Sequence, residues 1–157
     1  MGKKTQNINI EDRFSIRDYR KEDYPAIEQL WIETGLGDEN RNDTIESVEK
    51  SLQLGGKLLV LIHKQTNLIV GTSWMTYDGR RIHLHHFSIK QEFQGKRLGK
   101  MLTTESLKFA REMRTQIKLE VHKENKSALR LYRSAGFESL GDYDIYIIRH
   151  PEDIDFP

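Results

Sequence analysis

The chain has 157 residues, no cysteine and a net charge of +1, from 25 basic and 24 acidic side chains. This length predicts one domain with one core, and the balanced charge provides no overall field for nucleic acid or an anionic membrane. Without cysteine, disulfides, thiolate zinc sites and a cysteine nucleophile are excluded.

The sequence is expected to contain neither a membrane span nor a signal peptide. The longest apolar run, Leu58–Ile62, is far too short to span a bilayer, and the polar start MGKKTQ lacks the apolar core of a signal peptide. We therefore expect a cytoplasmic protein. Its organisation is predicted as a flexible N-terminus over 1–12, a single domain over 13–150 and a C-terminal tail over 151–157.

The N-terminal third predicts one strand and two helices. Phe14–Arg17 alternates between apolar and polar residues, as a short strand does. Asp23 is a candidate N-cap for a first helix, whose apolar stripe is Ile27, Leu30 and Trp31. Asp43 and Glu46 have the spacing of a cap for a second helix.

The middle of the chain predicts three strands and a long helix. The strands are Leu58–Ile62, Leu68–Tyr77 and Ile82–Ile89, and the last two are joined by the hairpin signal Asp78-Gly79. Apolar residues at helical spacing then predict a helix that extends to Met113.

The C-terminal third predicts a parallel strand, a last helix and the end of the sheet. Ile117–His122 follows the long helix, so it forms a βαβ unit with Ile82–Ile89. Asn125–Ala135 is amphipathic and precedes Gly136, which is typical of a helix and its C-terminal stop. Phe137 and Tyr143–Arg149 are predicted to complete the sheet.

The turn before the long helix has the character of an anion site. Gly95 and Gly99 bracket the helix start, where unpaired N–H groups and the helix dipole favour an anion, and Lys96, Arg97 and Lys100 add positive charge. The P-loop and the dinucleotide fingerprint both fail on the glycine spacing. An ordinary basic helix start is the alternative.

Two motifs give a family resemblance. Gln94-Gly95-Lys96-Arg97-Leu98-Gly99 resembles the Q/R-x-x-G-x-G/A pyrophosphate loop of the GNAT acyltransferase superfamily, except that Arg97 replaces the usual first glycine. The segment 125–137 resembles the family's N-x-x-A-x-x-L-Y-x-x-x-G-F pattern at every defining position. The resemblance implies the GNAT fold, an α/β (α+β) protein with a mixed, mostly antiparallel sheet, helices on both faces and a central βαβ acyl-CoA-binding unit.

The resemblance also implies an activity. GNAT N-acetyltransferases move an acetyl group from acetyl-CoA to a primary amine by direct attack in a ternary complex. By resemblance, the cofactor contacts are the backbone of Phe87, Ser88 and Ile89, the loop residues Gln94, Gly95, Lys96, Arg97, Leu98, Gly99 and Lys100, and the side chains of Asn125 and Tyr132. Simple N-capping is the alternative for Asn125. A catalytically silent acyl-CoA-binding domain, acting as a sensor or interaction module, is the alternative for the whole chain.

Three residues are candidates for proton transfer. Tyr132 matches the tyrosine that the family uses as general acid, and a core-edge tyrosine is the alternative. His83 and His85 share one face of the strand and are similar to the histidine pair of serotonin N-acetyltransferases, which implies a base or relay. A solvated strand-edge pair, or a metal pair without an obvious third ligand, are the alternatives. His86 is expected to face the other way and to pack or meet solvent.

The sequence indicates least about the acceptor substrate. The resemblance places it near the region between the first two helices and the final strands, whose carboxylates and aromatic rings suit a cationic amine. These residues are Glu33, Asp38, Glu39, Asp43, Asp142, Asp144, Trp31, Tyr143 and Tyr146. A small amine, an aminoacyl group, a protein N-terminus and a lysine side chain all stay open. We expect no nucleic-acid or membrane partner, no metal, and leave a homodimer open.

Overall fold

The computed structural model describes residues 9–37 and 41–155, which form one sheet with helices packed on it. The strands in these residues are β1 (Phe14–Asp18), β2 (Lys57–His63), β3 (Leu68–Tyr77), β4 (Arg81–Leu84), β5 (Ser88–Ile89) and β6 (Gln116–Leu119). The α-helices are α1 (Ile10–Arg13), α2 (Tyr24–Glu33), α3 (Ile45–Gln53), α4 (Leu98–Met113) and α5 (Lys126–Ser134).

The sheet is mostly antiparallel with one parallel pair. Its order is β1-β2-β3-β4-β6, and β5 pairs with β3 beside β4. β4 and β6 run parallel, with Arg81 opposite Gln116 and Leu84 opposite Leu119, and α4 makes the connection between them. The predicted fold class, with its mixed sheet and central βαβ unit, is confirmed.

The buried strand β2 shows that helices cover both faces of the sheet. Leu58, Val60 and Ile62 pack into one core with the apolar stripe of α2 and with Val48 of α3. Leu59 and Leu61 alternate with them, so they point to the opposite face, where α4 packs. A continuous apolar run is what such a doubly covered strand requires, and this is why Leu58–Ile62 has no polar alternation.

The predicted strand Ile82–Ile89 is broken by a β-bulge. Met75 of β3 is opposite Leu84 of β4, and Thr72 of β3 is opposite Ser88 of β5. Two residues of β3 therefore face the three residues 85–87, and the extra residue bends the strand. Beyond the bulge β5 pairs only with β3 among the described strands, so its other edge stays open.

Two helix caps differ from the sequence prediction. Thr44, not Asp43, caps α3, because its Oγ1 accepts a hydrogen bond from Ser47 N at 3.2 Å. Asp23 occupies the N-cap position of α2 without capping it through its side chain. Its carboxylate instead binds Arg17 at 2.7 Å, which holds the pKa of Asp23 below its ordinary value.

The prediction that Phe137 and Tyr143–Arg149 complete the sheet is wrong. Phe137 and residues 143–149 form no strand, and the side chains of Tyr143, Ile145 and Tyr146 are 79%, 67% and 89% exposed. At the other end, the prediction of a flexible terminus falls mostly on residues 1–8, outside the described residues, while Ile10–Arg13 form a helical turn. Among the described helices, none has the length and apolar character needed to cross a membrane.

Candidate active site

Most of the predicted site residues line one cleft that opens beside the bulge. The cleft has a volume of about 1200 Å3, and its walls come from β4, the bulge, the loop before α4, the end of β6 and the first turns of α5. The predicted residues in its lining are His83, His85, Phe87, Ile89, Gln94, Gly95, Gly99, Asn125 and Tyr132. The remaining ones do not line it: Ser88 and Leu98 are buried, and Lys96, Arg97 and Lys100 are exposed.

The loop before α4 presents a row of free backbone amides. In the described part of the chain, the amides from Gly95 to Lys100 donate no backbone hydrogen bond, whereas Gln94 N donates to Gln91 O and Met101 N to Arg97 O. These free amides include the first turn of α4, where the positive end of the helix dipole lies. The loop therefore has the donors and the field that an anionic group requires.

The backbone of this loop follows a tight path. Gly95 has a φ of +74° and Arg97 a φ of +63°, so both residues lie in the left-handed region. Gln94 ties the loop to β5, because its Nε2 donates to Ile89 O at 2.9 Å. Lys96 Nζ donates to Glu92 O at 2.8 Å and lies 4.9 Å from the Phe93 ring centroid.

Gly99 lets α4 and α5 approach each other closely. A Cβ atom at this position would lie 3.1 Å from Leu131 Cδ2, which is tighter than an ordinary van der Waals contact. The close approach brings the loop beside the helix that carries Tyr132. Gly99 thus has a packing role that the family motif does not reveal by itself.

Tyr132 stands at the wall of the cleft with its ring held by two phenylalanines. The ring makes edge contacts with Phe87 and Phe137, at centroid distances of 5.8 and 5.6 Å. Burial raises the pKa of its hydroxyl to about 12. The hydroxyl is therefore protonated at neutral pH, and it makes no hydrogen bond with another described residue, so its proton is free to be donated.

Asn125 caps α5. Its Oδ1 accepts a hydrogen bond from Ala128 N at 3.1 Å, so the capping alternative is confirmed. The side-chain NH2 group keeps its two donors and lies in the cleft lining. A contact from that group to a cofactor stays a prediction.

His83 and His85 lie against each other on the face predicted for them. Their ring centroids are 4.0 Å apart, and His85 Nε2 lies 2.7 Å from Thr76 Oγ1. Burial, reinforced by the neighbouring His83, lowers the pKa of His85 to about 4. Burial also lowers the pKa of His83, with a smaller contribution from Lys118. Both imidazoles are therefore neutral at pH 7 and able to accept a proton.

Glu120 was not predicted from the sequence. It follows the last residue of β6, and its Oε1 lies 3.7 Å from His83 Nε2. The carboxylate is about half exposed, so it connects the histidine pair to solvent. The predicted βαβ unit could have indicated Glu120, because the parallel pairing of β4 and β6 sets the position of the residue that follows β6.

A second imidazole–carboxylate pair faces the cleft, and it contradicts the prediction for His86. His86 Nε2 lies 2.7 Å from Asp43 Oδ2, and both side chains are largely buried. The His86 ring packs against both Trp31 and Trp74, at centroid distances of 4.5 and 5.3 Å. The bulge is the cause, because one extra residue turns His86 into the cleft rather than away from it.

The other predicted acceptor residues are scattered. Glu33 binds Lys90 at 3.3 Å and does not line the cleft. Asp142, Tyr143 and Asp144 are exposed and also lie outside its lining, whereas Tyr146 belongs to it. Asp38 and Glu39 lie outside the described residues.

Comparison with known proteins gives one family. The family model described as an acetyltransferase (GNAT) domain matches residues 19–144. A comparison with curated protein sequences finds no significant match.

Solved structures share the fold at low sequence identity. A GNAT-family acetyltransferase from Staphylococcus aureus Mu50 superposes with a TM-score of 0.71 at 19% identity, covering 80% of this chain and 83% of that one. The yncA protein of Salmonella typhimurium, solved with its cofactor acetyl-CoA, gives 0.68 at 21% identity over 79% of each chain. Glucosamine-6-phosphate N-acetyltransferase from Arabidopsis thaliana gives 0.66 at 19% identity, covering 86% of this chain and 96% of that one. These neighbours confirm the predicted fold.

Proposed function

Because the chain belongs to the GNAT acetyltransferase family, we propose that it transfers an acetyl group from acetyl-CoA to a primary amine by direct attack in a ternary complex. The observation that carries the proposal is the convergence of three groups on one cleft. These are the free amides of the loop before α4, the protonated Tyr132 and the neutral histidine pair. They supply an anion site, an acid and a base, which are the groups that amide formation from a thioester requires.

The cofactor is expected to bind along the open edge of β5 and the loop before α4. The amides from Gly95 to Lys100 receive the pyrophosphate, while the exposed Lys96, Arg97 and Lys100 add positive charge. The free edge of β5 offers backbone groups to the pantetheine arm, as an added strand would use them. On this proposal the thioester lies at the bulge, near Phe87 and Tyr132.

Acyl transfer then follows as one addition and one elimination. The neutral amine nitrogen attacks the thioester carbonyl carbon, so a C–N bond forms, and a backbone N–H at Phe87 or Ser88 stabilises the oxyanion. The C–S bond breaks as the intermediate collapses. Tyr132 gives its proton to the departing thiolate, and its raised pKa keeps that proton in place until the thiolate forms.

The histidine pair removes the proton that the amine must lose. His83 accepts it directly or through a water molecule, and His85 orients the pair through its contact with Thr76. Glu120, 3.7 Å from His83 Nε2, stabilises the imidazolium and offers a route to solvent. In the described part of the chain, no third ligand lies close enough to form a metal site with the two histidines.

Two carboxylates favour an acceptor that arrives as a cation. Glu120 stands on one side of the histidine pair, and Asp43 lies against His86 in the same cleft. Trp74 adds an aromatic ring to the lining, which also attracts an alkylammonium group. The acceptor class is therefore a primary amine that is protonated in solution and loses its proton in the cleft.

A thiol-release assay against a panel of primary amines tests the proposal. The native chain should release CoA only when acetyl-CoA and an accepted amine are both present, and mass spectrometry should find the acetyl group on the amine nitrogen. Calorimetry on the same sample reports acetyl-CoA affinity independently. If acetyl-CoA binds and no amine of the panel releases thiol, the silent-domain alternative replaces the proposal.

A further inference from the structure

The peptide group that joins His86 to Phe87, here called the 86–87 peptide, lies in the bulge, where the regular pairing of the sheet is interrupted. Before it, His85 N donates to a carbonyl oxygen of β3 at 2.7 Å. After it, Ser88 is opposite Thr72 in the pairing of β5 with β3. Neither contact involves the 86–87 peptide itself. Its orientation therefore depends on a group outside the ladder of the sheet.

The hydroxyl of Thr72 makes that contact. Thr72 is fully buried in β3, and its Oγ1 donates a hydrogen bond to His86 O at 3.1 Å. Trp31 Nε1 lies 2.9 Å from the same hydroxyl oxygen, and Ser88 Oγ also lies 2.9 Å from it. An indole N–H can only donate, and a carbonyl oxygen can only accept. All three contacts are satisfied together only when the Thr72 hydroxyl donates to the carbonyl and accepts from the other two groups.

This hydrogen bond determines where the N–H group of Phe87 points. A peptide group is planar and trans, so its N–H and C=O are directed to opposite sides of the strand. Because His86 O faces β3, Phe87 N–H is directed to the open edge of β5. The ladder has the same phase, since Lys90 N donates to Val70 O at 2.8 Å and alternate residues of an antiparallel strand donate to the same neighbour. Ser88 N–H therefore faces β3, whereas Phe87 N–H does not.

The N–H group of Phe87 also has no partner. Within the described residues, it donates no hydrogen bond to a backbone or side-chain acceptor. The Phe87 side chain lines the cleft, and its ring centroid lies 5.8 Å from that of Tyr132. The free N–H is therefore in the region where the proposed function puts the thioester. Of the two amides considered for the oxyanion, that of Phe87 has both the free hydrogen and the direction, and that of Ser88 has neither.

We infer that Thr72 is a positioning residue for acetyl transfer, because it orients the 86–87 peptide so that Phe87 N–H donates to the thioester carbonyl. This role rests on the proposed function, which supplies the thioester at the open edge of β5. The hydrogen bond to His86 O also polarises the peptide and makes its N–H a stronger donor. Thr72 does not touch the reacting atoms, since it is fully buried and does not line the cleft.

The side chain of His86 is held separately from its backbone. Its Nε2 lies 2.7 Å from Asp43 Oδ2, and its ring packs against Trp31 and Trp74. Removal of the Thr72 hydroxyl should therefore release the 86–87 peptide without releasing the histidine ring. This separation allows the role of the hydroxyl to be tested by substitution.

Carbon-13 NMR of acetyl-CoA labelled at the thioester carbonyl tests this role without an acceptor. A hydrogen bond to the carbonyl oxygen moves the carbonyl resonance downfield, so binding to the native chain should give a downfield shift. Thr72→Val removes the hydroxyl and keeps the shape of the side chain, and it should lose most of this shift. Thr72→Ser keeps a hydroxyl and should retain the shift. A native chain that gives no downfield shift, or a valine variant that gives the native one, overturns the positioning role.

Ser73→Ala is the matched control, because it removes a neighbouring buried hydroxyl of β3. Ser73 Oγ lies 2.7 Å from Ser106 Oγ on the opposite face of the sheet, so its loss should lower the melting temperature and leave the carbonyl shift unchanged. If Ser73→Ala loses the shift as well, the effect of Thr72 is one of stability alone, and the positioning role is overturned. Thr72→Ala removes the Thr72 hydroxyl without placing a second methyl group against its polar partners, and it replaces Thr72→Val if the valine variant does not fold.

Kinetics with an accepted amine gives a second readout. Thr72→Val should lower kcat by roughly tenfold, which is less than the ~10²–10³-fold loss that follows removal of an oxyanion donor, while acetyl-CoA affinity measured by calorimetry stays near the native value. If no amine is accepted but the carbonyl shift depends on Thr72, the proposed function fails and the positioning role stands. If acetyl-CoA does not bind to the native chain, both fail.

Discussion

Arg97 holds a backbone conformation that glycine adopts without strain. Its φ of +63° lies in the left-handed region, at the position where the family motif usually has glycine. Position 97 therefore has a backbone conformation that a glycine would adopt at low cost, and the arginine adopts it as well. The arginine side chain makes this conformation less favourable than it would be for glycine.

We expect Arg97→Gly to be more stable than Arg97→Ala by about 1 kcal/mol, because only alanine places a Cβ in the left-handed region. Urea denaturation measures the difference in unfolding free energy between the two variants. Because both variants lack the guanidinium, the effect of its loss cancels in the comparison. Equal midpoints and slopes would show that position 97 is not strained. Both variants should bind acetyl-CoA more weakly than the native chain if the guanidinium contacts a phosphate.

Tyr132→Phe should lower kcat by about 10²-fold or more when chemistry limits the rate, since the proton for the thiolate is lost. Phenylalanine keeps the ring contacts with Phe87 and Phe137, so acetyl-CoA affinity measured by calorimetry should hardly change. Tyr132→Leu provides a control in which the ring contacts are lost as well. Full kcat in Tyr132→Phe, with product release shown to be fast, would dismiss the acid role.

The pH dependence of the reaction should follow the neutral histidine pair. Because burial lowers the pKa of both imidazoles, the acidic limb of kcat/KM that they cause should lie below pH 6.5, rather than at the ordinary histidine value. His83→Gln should remove or flatten that limb. The double variant His83→Gln, His85→Gln should lose much less kcat/KM than the product of the two single losses, because the pair acts as one unit. If the pH profiles of kcat/KM do not differ among the native chain and the variants, the histidines are not the base and bulk water takes that role.

At the scale of elements, the junction of α4 and α5 joins the loop before α4 to the helix that carries Tyr132, the proposed general acid. Gly99 touches Leu131, so the first turn of α4 and the helix of Tyr132 are held in one arrangement. The sequence predicted both helices, since their apolar residues recur at helical spacing. It could not predict the contact between them, because spacing within one helix carries no information on its neighbour.

Gly99→Glu should weaken acetyl-CoA binding by more than tenfold, because it puts a carboxylate among the free amides that are proposed to receive the pyrophosphate. Gly99→Ala is the matched control, since its methyl group only presses on the end of the flexible Leu131 side chain. Calorimetry measures both affinities, and thermal melting confirms that both variants fold. The phosphate assignment is wrong if the glutamate variant folds and binds as tightly as the alanine variant.

The bulge between β4 and β5 marks the limit of what alternation predicts. The sequence Ile82–Ile89 has the composition of one strand, and the same-face placement of His83 and His85 is confirmed by the 4.0 Å between their ring centroids. His86 follows them and turns into the cleft, where it meets Asp43. A single inserted residue leaves no trace in composition, so the contact between His86 and Asp43 could not be predicted.

At the scale of the whole molecule, the order and pairing of the elements were predictable and the closing of the sheet was not. Alternation, helical spacing and the two motifs predict β1, β2, β3, β6 and α2 to α5, and they predict β4 and β5 as one strand, because each signal lies within one element. The segment Tyr143–Arg149 carries an equally clear strand signal, yet no described strand pairs with it. A strand forms only where an edge receives it, and one sequence does not say which edge.

Folding stability of the whole chain should increase with pH between about 4 and 6.5. His85 has a pKa of about 4 in the folded chain and an ordinary value near ~6.5 when unfolded, so the unfolded state binds more protons in this window. The stability is complete above the unfolded pKa and is lost as pH falls toward the folded one. Urea denaturation across this range measures the trend, and His85→Gln should reduce its slope. A slope that the substitution leaves unchanged would show that His85 is not the responsible group.

Trp31 and Trp74 are the only tryptophans of the chain, and their rings stack at 5.6 Å with His86 against both. All the tryptophan emission of the protein therefore arises from this one stacked pair, in which Trp74 lines the cleft and Trp31 is buried. The two rings therefore form an intrinsic optical probe, and we expect its emission to change when a molecule binds beside Asp43 and His86. Acceptors can accordingly be screened by titration without label, coupling enzyme or turnover.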